Sequence, residues 1–145
     1  MMAILSSEML HATSVAIDGR AVLLEGVSGV GKSDLALRLI DRGGVLVSDD
    51  RTLVVRQGDI LVARAPDAIR GRIELRGLGI VVMPHVEDVP VALIVRLGGE
   101  PQRMPERRQR RLAGIAVPEL AFDAFHASTP VKIEWALRQP EATPL

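Results

Sequence analysis

The chain contains no cysteine. It therefore has no disulfides, no thiolate metal site and no thiol nucleophile, and any metal it uses is expected to be a hard ion held by oxygen. Aromatic residues make up 2% of the sequence and the formal net charge is zero. Neither the positive field nor the stacking platforms of a non-specific nucleic-acid binder are there, so nucleic acid is not an expected partner. No apolar run approaches the roughly 18 residues of a membrane span, and no basic stretch followed by an apolar one opens the chain. The expectation is a cytoplasmic protein that does not engage a membrane. Lysine is also scarce, occurring only at Lys32 and Lys132 among 18 basic residues, which makes the position of Lys32 informative.

What is present suits one compact domain over 1–145, with residues beyond Pro140 fraying: 145 residues, 48% hydrophobic and 25% charged, can bury a single core. Two apolar runs, Val15–Ile17 and Ala21–Leu24, flank the turn dipeptide Asp18-Gly19 and predict a hairpin. After it, Leu35, Ala36, Leu39 and Ile40 recur at helical spacing until Gly43-Gly44. Val45–Val47, Thr52–Arg56, Ile60–Arg64, Ile73–Leu75, Gly79–Met83 and Val91–Leu97 predict strands, Ile115–Val117 continues this pattern, Pro118 opens a further segment, and a closing helix is predicted over Val131–Arg138.

Between the second apolar run and the first helix lies Gly26-Val27-Ser28-Gly29-Val30-Gly31-Lys32-Ser33, which fits G-x-x-x-x-G-K-[S/T]. Glycines let successive N–H groups turn toward phosphate oxygens, the helix N-terminus adds positive potential, and Lys32 supplies a mobile charge. Ser33 can then ligate Mg²⁺. A plain Gly-rich turn with an incidental lysine is the alternative, and the strand before and helix after decide against it. Asp49-Asp50 ends an apolar strand expected beside the one leading into the loop. One carboxylate can serve Mg²⁺ directly or from its second sphere while the other accepts a proton; a polar capping turn is the plainer reading. Strand alternation puts Glu74 on one face with Arg72 and Arg76, which is either functional or a solvated face, and His11 is open between structural and catalytic roles.

In order and spacing, His11, the loop with acidic Asp34, Asp49-Asp50 and Glu74-Leu75-Arg76-Gly77-Leu78-Gly79-Ile80 resemble HPr kinase/phosphorylase. The resemblance covers about residues 10–83 well. It implies an α/β P-loop kinase domain of the HPr kinase/phosphoenolpyruvate carboxykinase type, a mixed, β-rich sheet with few helices. It also implies ATP and Mg²⁺ as cofactors and an HPr-type phosphocarrier protein as the substrate of a serine kinase. By the same resemblance His11 is a catalytic-site residue, Lys32 binds phosphate, Ser33 and Glu74 ligate magnesium with Asp49 beside them, and Asp50 is the acid/base. The chain looks like the short form, the C-terminal catalytic domain alone, and a homo-oligomer is compatible with the family. Arg111-Leu112-Ala113-Gly114 is the nearest match to the family's D-R-L-G segment, which would make Arg111 a catalytic cation; Arg103 to Arg111 otherwise reads as a solvated helix face. The segment P-V-R-P-G-R tied to dephosphorylation has no clear counterpart, so the kinase direction is the firmer expectation. Two other readings stay open: a small-metabolite kinase with Arg103–Arg111 as its lid, and a nucleotide-sensing module without transfer. No N-K-x-D sequence supports a GTPase.

Overall fold

The computed structural model describes residues 6–99, 102–103 and 108–139. The fraying expected after Pro140, and Arg107 of the arginine-rich stretch, lie outside them. In chain order the described residues form β1 (Ser7–Leu10), β2 (Ala12–Ile17), β3 (Arg20–Glu25), α1 (Lys32–Asp41), β4 (Val45–Ser48), β5 (Thr52–Gln57), β6 (Ile60–Arg64), β7 (Arg72–Leu75), β8 (Gly79–Val82), β9 (Val89–Leu97), β10 (Arg108–Leu112), β11 (Ile115–Phe122) and α2 (Thr129–Arg138).

Strand β9 is the hub of the sheet. Its first two residues pair with β6, β3 runs parallel to it along Val91–Arg96, and β11 joins it in parallel along Ile94–Leu97. The order β1-β5-β6-β9-β3-β2-β4 follows, with β10 paired to β11, while β7 and β8 form a separate two-stranded sheet. The β2–β3 hairpin turns at Asp18 and Gly19, whose φ values of 50° and 76° have the sign pattern of a type I′ turn.

Both faces of β3 are covered. Val22 and Leu24 pack in one cluster with Leu35 and Leu39 of α1, Ile133 of α2 and Ile73 of β7. Ala21 and Leu23 point the other way, into a second cluster with Val54 of β5 and Leu61 and Ala63 of β6. Burial on both sides is why β2 and β3 read as nearly continuous apolar runs instead of alternating ones.

Three expectations change. Strand β4 lies beside β2, antiparallel, and β2 separates it from β3, the strand leading into the loop. The arginine-rich stretch is no helix face where it is described: Arg108–Leu112 is β10, and Arg110 forms ion pairs with Glu25 (2.8 Å) and Glu119 (3.1 Å). Pro118 lies within β11 and opens no new segment; pairing to β9 begins one residue later, at Glu119, so the missing N–H costs no bond on that side.

Helix α1 ends in a Schellman arrangement, with Gly43 N donating to Ile40 O and Gly44 N to Leu39 O, both at 3.0 Å. Gly43 has φ 108° with open space around its missing Cβ, whereas a Cβ on Gly44 would sit 2.9 Å from Leu39 O and 2.7 Å from Val15 Cγ1. Gly43→Ala is expected to cost about 1–2 kcal/mol through backbone strain alone, and Gly44→Ala more, because the carbonyl it meets is fixed by the helix. Urea unfolding of the two variants checks the order; equal midpoints would contradict it.

Candidate active site

The loop between β3 and α1 is shaped by two left-handed glycines, Gly29 at φ 86° and Gly31 at φ 103°, the latter capping α1. Side chains with a Cβ resist this conformation, and at Gly31 a Cβ would also lie 2.9 Å from the Phe125 ring. The root of the loop is fixed where Gly26 N donates to His11 O at 3.4 Å. Lys32, nearly buried, donates from Nζ to Gly26 O at 2.5 Å and lies 3.4 Å from Asp50 Oδ1. The ammonium is thus held between the loop and the end of β4.

The carboxylates come from the residues that follow β4. Asp49 is buried, and its oxygens accept three hydrogen bonds: Ser33 Oγ to Oδ1 (2.6 Å), Thr13 Oγ1 to Oδ1 (3.1 Å) and Glu74 N to Oδ2 (2.9 Å). A hydroxyl has one proton and two lone pairs, so the proton Ser33 gives to Asp49 leaves its lone pairs for a cation. Asp50 is exposed at φ 64°, its N–H donates to Thr13 Oγ1 (2.9 Å), and Arg51 N donates across it to Asp49 O (2.7 Å). This is a γ-turn centred on Asp50. Such a turn is an uncommon conformation for a residue other than glycine, and asparagine and aspartate tolerate it best.

A cavity of about 500 Å³ joins these groups, lined by the loop and α1 start (Ser28, Gly29, Gly31, Lys32, Ser33, Asp34, Leu37) and by Asp49, Asp50, Glu74, Leu75, Arg76 and Phe125. Lys32, Ser33, Asp49, Asp50 and Glu74 are therefore gathered at one place, with the loop and its ammonium beside carboxylates. Such an arrangement can hold a polyanion together with a hard cation and take a proton from a hydroxyl brought against it. Two sequence candidates are not brought there. His11 reaches the loop through its backbone carbonyl and does not line the cavity. Arg111 sits opposite Ala116 near the far end of β11 and donates to Gly114 O at 3.0 Å. Six residues of strand, about 20 Å, separate Ala116 from Phe122, which pairs with Leu97 at the loop end of β9.

The HPr Serine kinase C-terminal domain profile matches residues 3–86, more than half of the chain. The chain belongs to that family. HPr kinase/phosphorylase of Lacticaseibacillus casei is 36% identical over 134 residues, covering 86% of this chain and 41% of that protein. The Peptoclostridium acidaminophilum protein of the same name is 47% identical over 84 residues, 57% of this chain and 27% of that protein. Thus the chain spans well under half the length of these relatives. Among solved structures, the Hpr(Ser) kinase/phosphatase from Coxiella burnetii superposes with a TM-score of 0.79 at 31% identity, over 92% of this chain and 95% of that one. The α/β kinase fold of this family, with a mixed sheet and few helices, is the one expected from the loop and the Glu74–Ile80 block.

Thr13 and Phe125 join the site without a signal in the sequence strong enough to single them out, and Arg76, inside the Glu74–Ile80 block, joins it without a role that the block assigns. Thr13 reads as one more residue of an apolar strand, yet its fully buried hydroxyl donates to Asp49 and accepts from Asp50 N. Thr13→Val leaves that amide without its partner and removes one donor from Asp49, an expected loss of about 1–3 kcal/mol. Thr13→Ser keeps both bonds and should retain most of the stability, so the comparison of urea midpoints for the two variants checks the role.

Proposed function

We propose that the chain transfers the terminal phosphoryl group of ATP to a serine hydroxyl of an HPr-type phosphocarrier protein. The observation that carries this reading is the pair Lys32–Asp50 at 3.4 Å, a phosphate-type ammonium beside an exposed carboxylate, next to the Ser33–Asp49 bond. Family membership supports it. The loop amides and Lys32 would take the phosphate oxygens, and Arg76, which lines the cavity, would share the charge neutralisation for which the sequence suggests Arg111.

The donor set fits Mg²⁺. Ser33 Oγ and the Glu74 carboxylate are hard oxygens, Asp49 orients Ser33 from behind, and among the described residues no three His, Asp or Glu side chains form a ready-made metal cage. Magnesium is commonly bound in this way, by one or two protein oxygens plus substrate phosphates. When bound it would supply charge neutralisation to the phosphates.

In the transfer, the acceptor serine oxygen forms a bond to the terminal phosphorus, the bond from that phosphorus to the bridging oxygen of ADP breaks, and the hydroxyl proton passes to Asp50. Its exposure leaves room for an acceptor side chain to approach. The same carboxylate would return the proton if inorganic phosphate attacked phosphoserine, the direction carried in the relatives' names. His11 acts on this site from outside the cavity, through its backbone carbonyl, as the anchor of the loop's first amide.

Incubation with Mg-ATP and an HPr-type protein, followed by intact-mass and phosphosite analysis, tests the reading: one phosphate on a serine is expected. Asp50→Asn should lower the transfer rate by about 10²–10⁴-fold with ATP binding largely kept. Transfer undiminished in that variant, or none by the unaltered chain under conditions where ATP binds, would overturn it.

A further inference from the structure

One wall of the cavity holds the groups suited to phosphate, cation and proton. Along α1 these give way to one carboxylate, Asp34, already paired with Arg38, and then to apolar groups. Beyond Ser33 the lining continues through Asp34 and Leu37 of α1 to Phe125, in the segment between β11 and α2. Phe125 is 67% exposed, in a chain with only three aromatic residues, and Leu37 is partly exposed beside the same cavity. A phenyl ring held in water forgoes the burial that ordinarily stabilises it, so its placement at a cavity rim points to an occupant with an apolar, planar face.

The ring also lies against the loop. A Cβ on Gly31 would lie 2.9 Å and 3.1 Å from two of its ring carbons, so the glycine permits the ring to lie directly against the loop. The segment that carries it is braced at several points. Phe125 N donates to Asp123 Oδ1 (2.8 Å), Thr129 Oγ1 donates to Asp123 O (2.6 Å), and Arg38 of α1 donates to Ala124 O and, at 3.2 Å, to His126 O. Phe125 is thus tied both to the loop and to the helix that the loop caps.

We infer that Phe125 is the platform on which the base of the bound nucleotide stacks, with Leu37 as the apolar side of the same subsite. The inference rests on the phosphate-loop reading above. If the phosphates lie against Lys32 and Ser33 and the transferred group faces Asp50, the nucleoside must leave the phosphates along the wall that Asp50, Glu74 and Arg76 do not occupy, which is the Asp34–Leu37–Phe125 wall. Stacking on an aromatic face is available to any base, so this subsite adds affinity for a nucleoside without selecting a particular one.

Calorimetric titration with Mg-ATP and with Mg-tripolyphosphate separates the two parts of the site, since the second ligand carries the phosphates and no base. The unaltered chain should bind ATP more tightly than tripolyphosphate. Phe125→Ala should weaken ATP about tenfold and leave tripolyphosphate within about twofold, with Phe125→Trp restoring ATP affinity. Equal affinity of the unaltered chain for both ligands, or a Phe125→Ala variant that weakens both alike or neither, overturns the base platform while the phosphate reading stands. Failure of the unaltered chain to bind either ligand overturns both.

Discussion

The buried carboxylate of Asp49 is the constraint on which the site's geometry depends. It accepts hydrogen bonds from α1 through Ser33, from β2 through Thr13, and from β7 through the Glu74 amide. Three elements far apart in sequence are thereby oriented about one residue. A carboxylate buried in this way is tolerated because its charge is met by several donors, and the removal of any one weakens that compensation. One carboxylate thus positions both Ser33 and Glu74.

Asp50 follows from the same anchor. Its neighbour is immobilised, Thr13 takes its amide, and Arg51 closes the turn across it, so a left-handed conformation is held by bonds on both sides. Backbone arrangements of this kind persist where the surroundings over-determine them. Here the result is an exposed carboxylate next to a nearly buried ammonium.

Much of the framework is legible in the sequence because its signals are local. The loop needs glycines at fixed offsets, α1 has a 3.6-residue apolar period ending at Gly43-Gly44, and the β2–β3 turn is marked by Asp18-Gly19. Other features depend on pairing at long range and leave no local mark. That β4 lies next to β2 is set by a register between residues some thirty positions apart, and the arginines near Arg110 look solvated until Glu25 and Glu119 are brought alongside. Thr13 is hidden by its own strand, where one of two adjacent hydroxyls, Thr13 and Ser14, carries no local mark of a role. Arg111 and Arg76 show the same limit in reverse, since both stand in motif matches and the folded chain brings only the second to the cavity.

The interposed strand β2 also sets a width. Because β3 and β4 are both antiparallel to β2, they run parallel to each other and end on the same side, two strand spacings or about 10 Å apart. Directly adjacent strands would have placed the start of the loop and the acidic pair a single spacing apart. The start of β2 lies in that gap, and Thr13 is the residue found there, so the strand that holds the two walls apart also furnishes the hydroxyl between them.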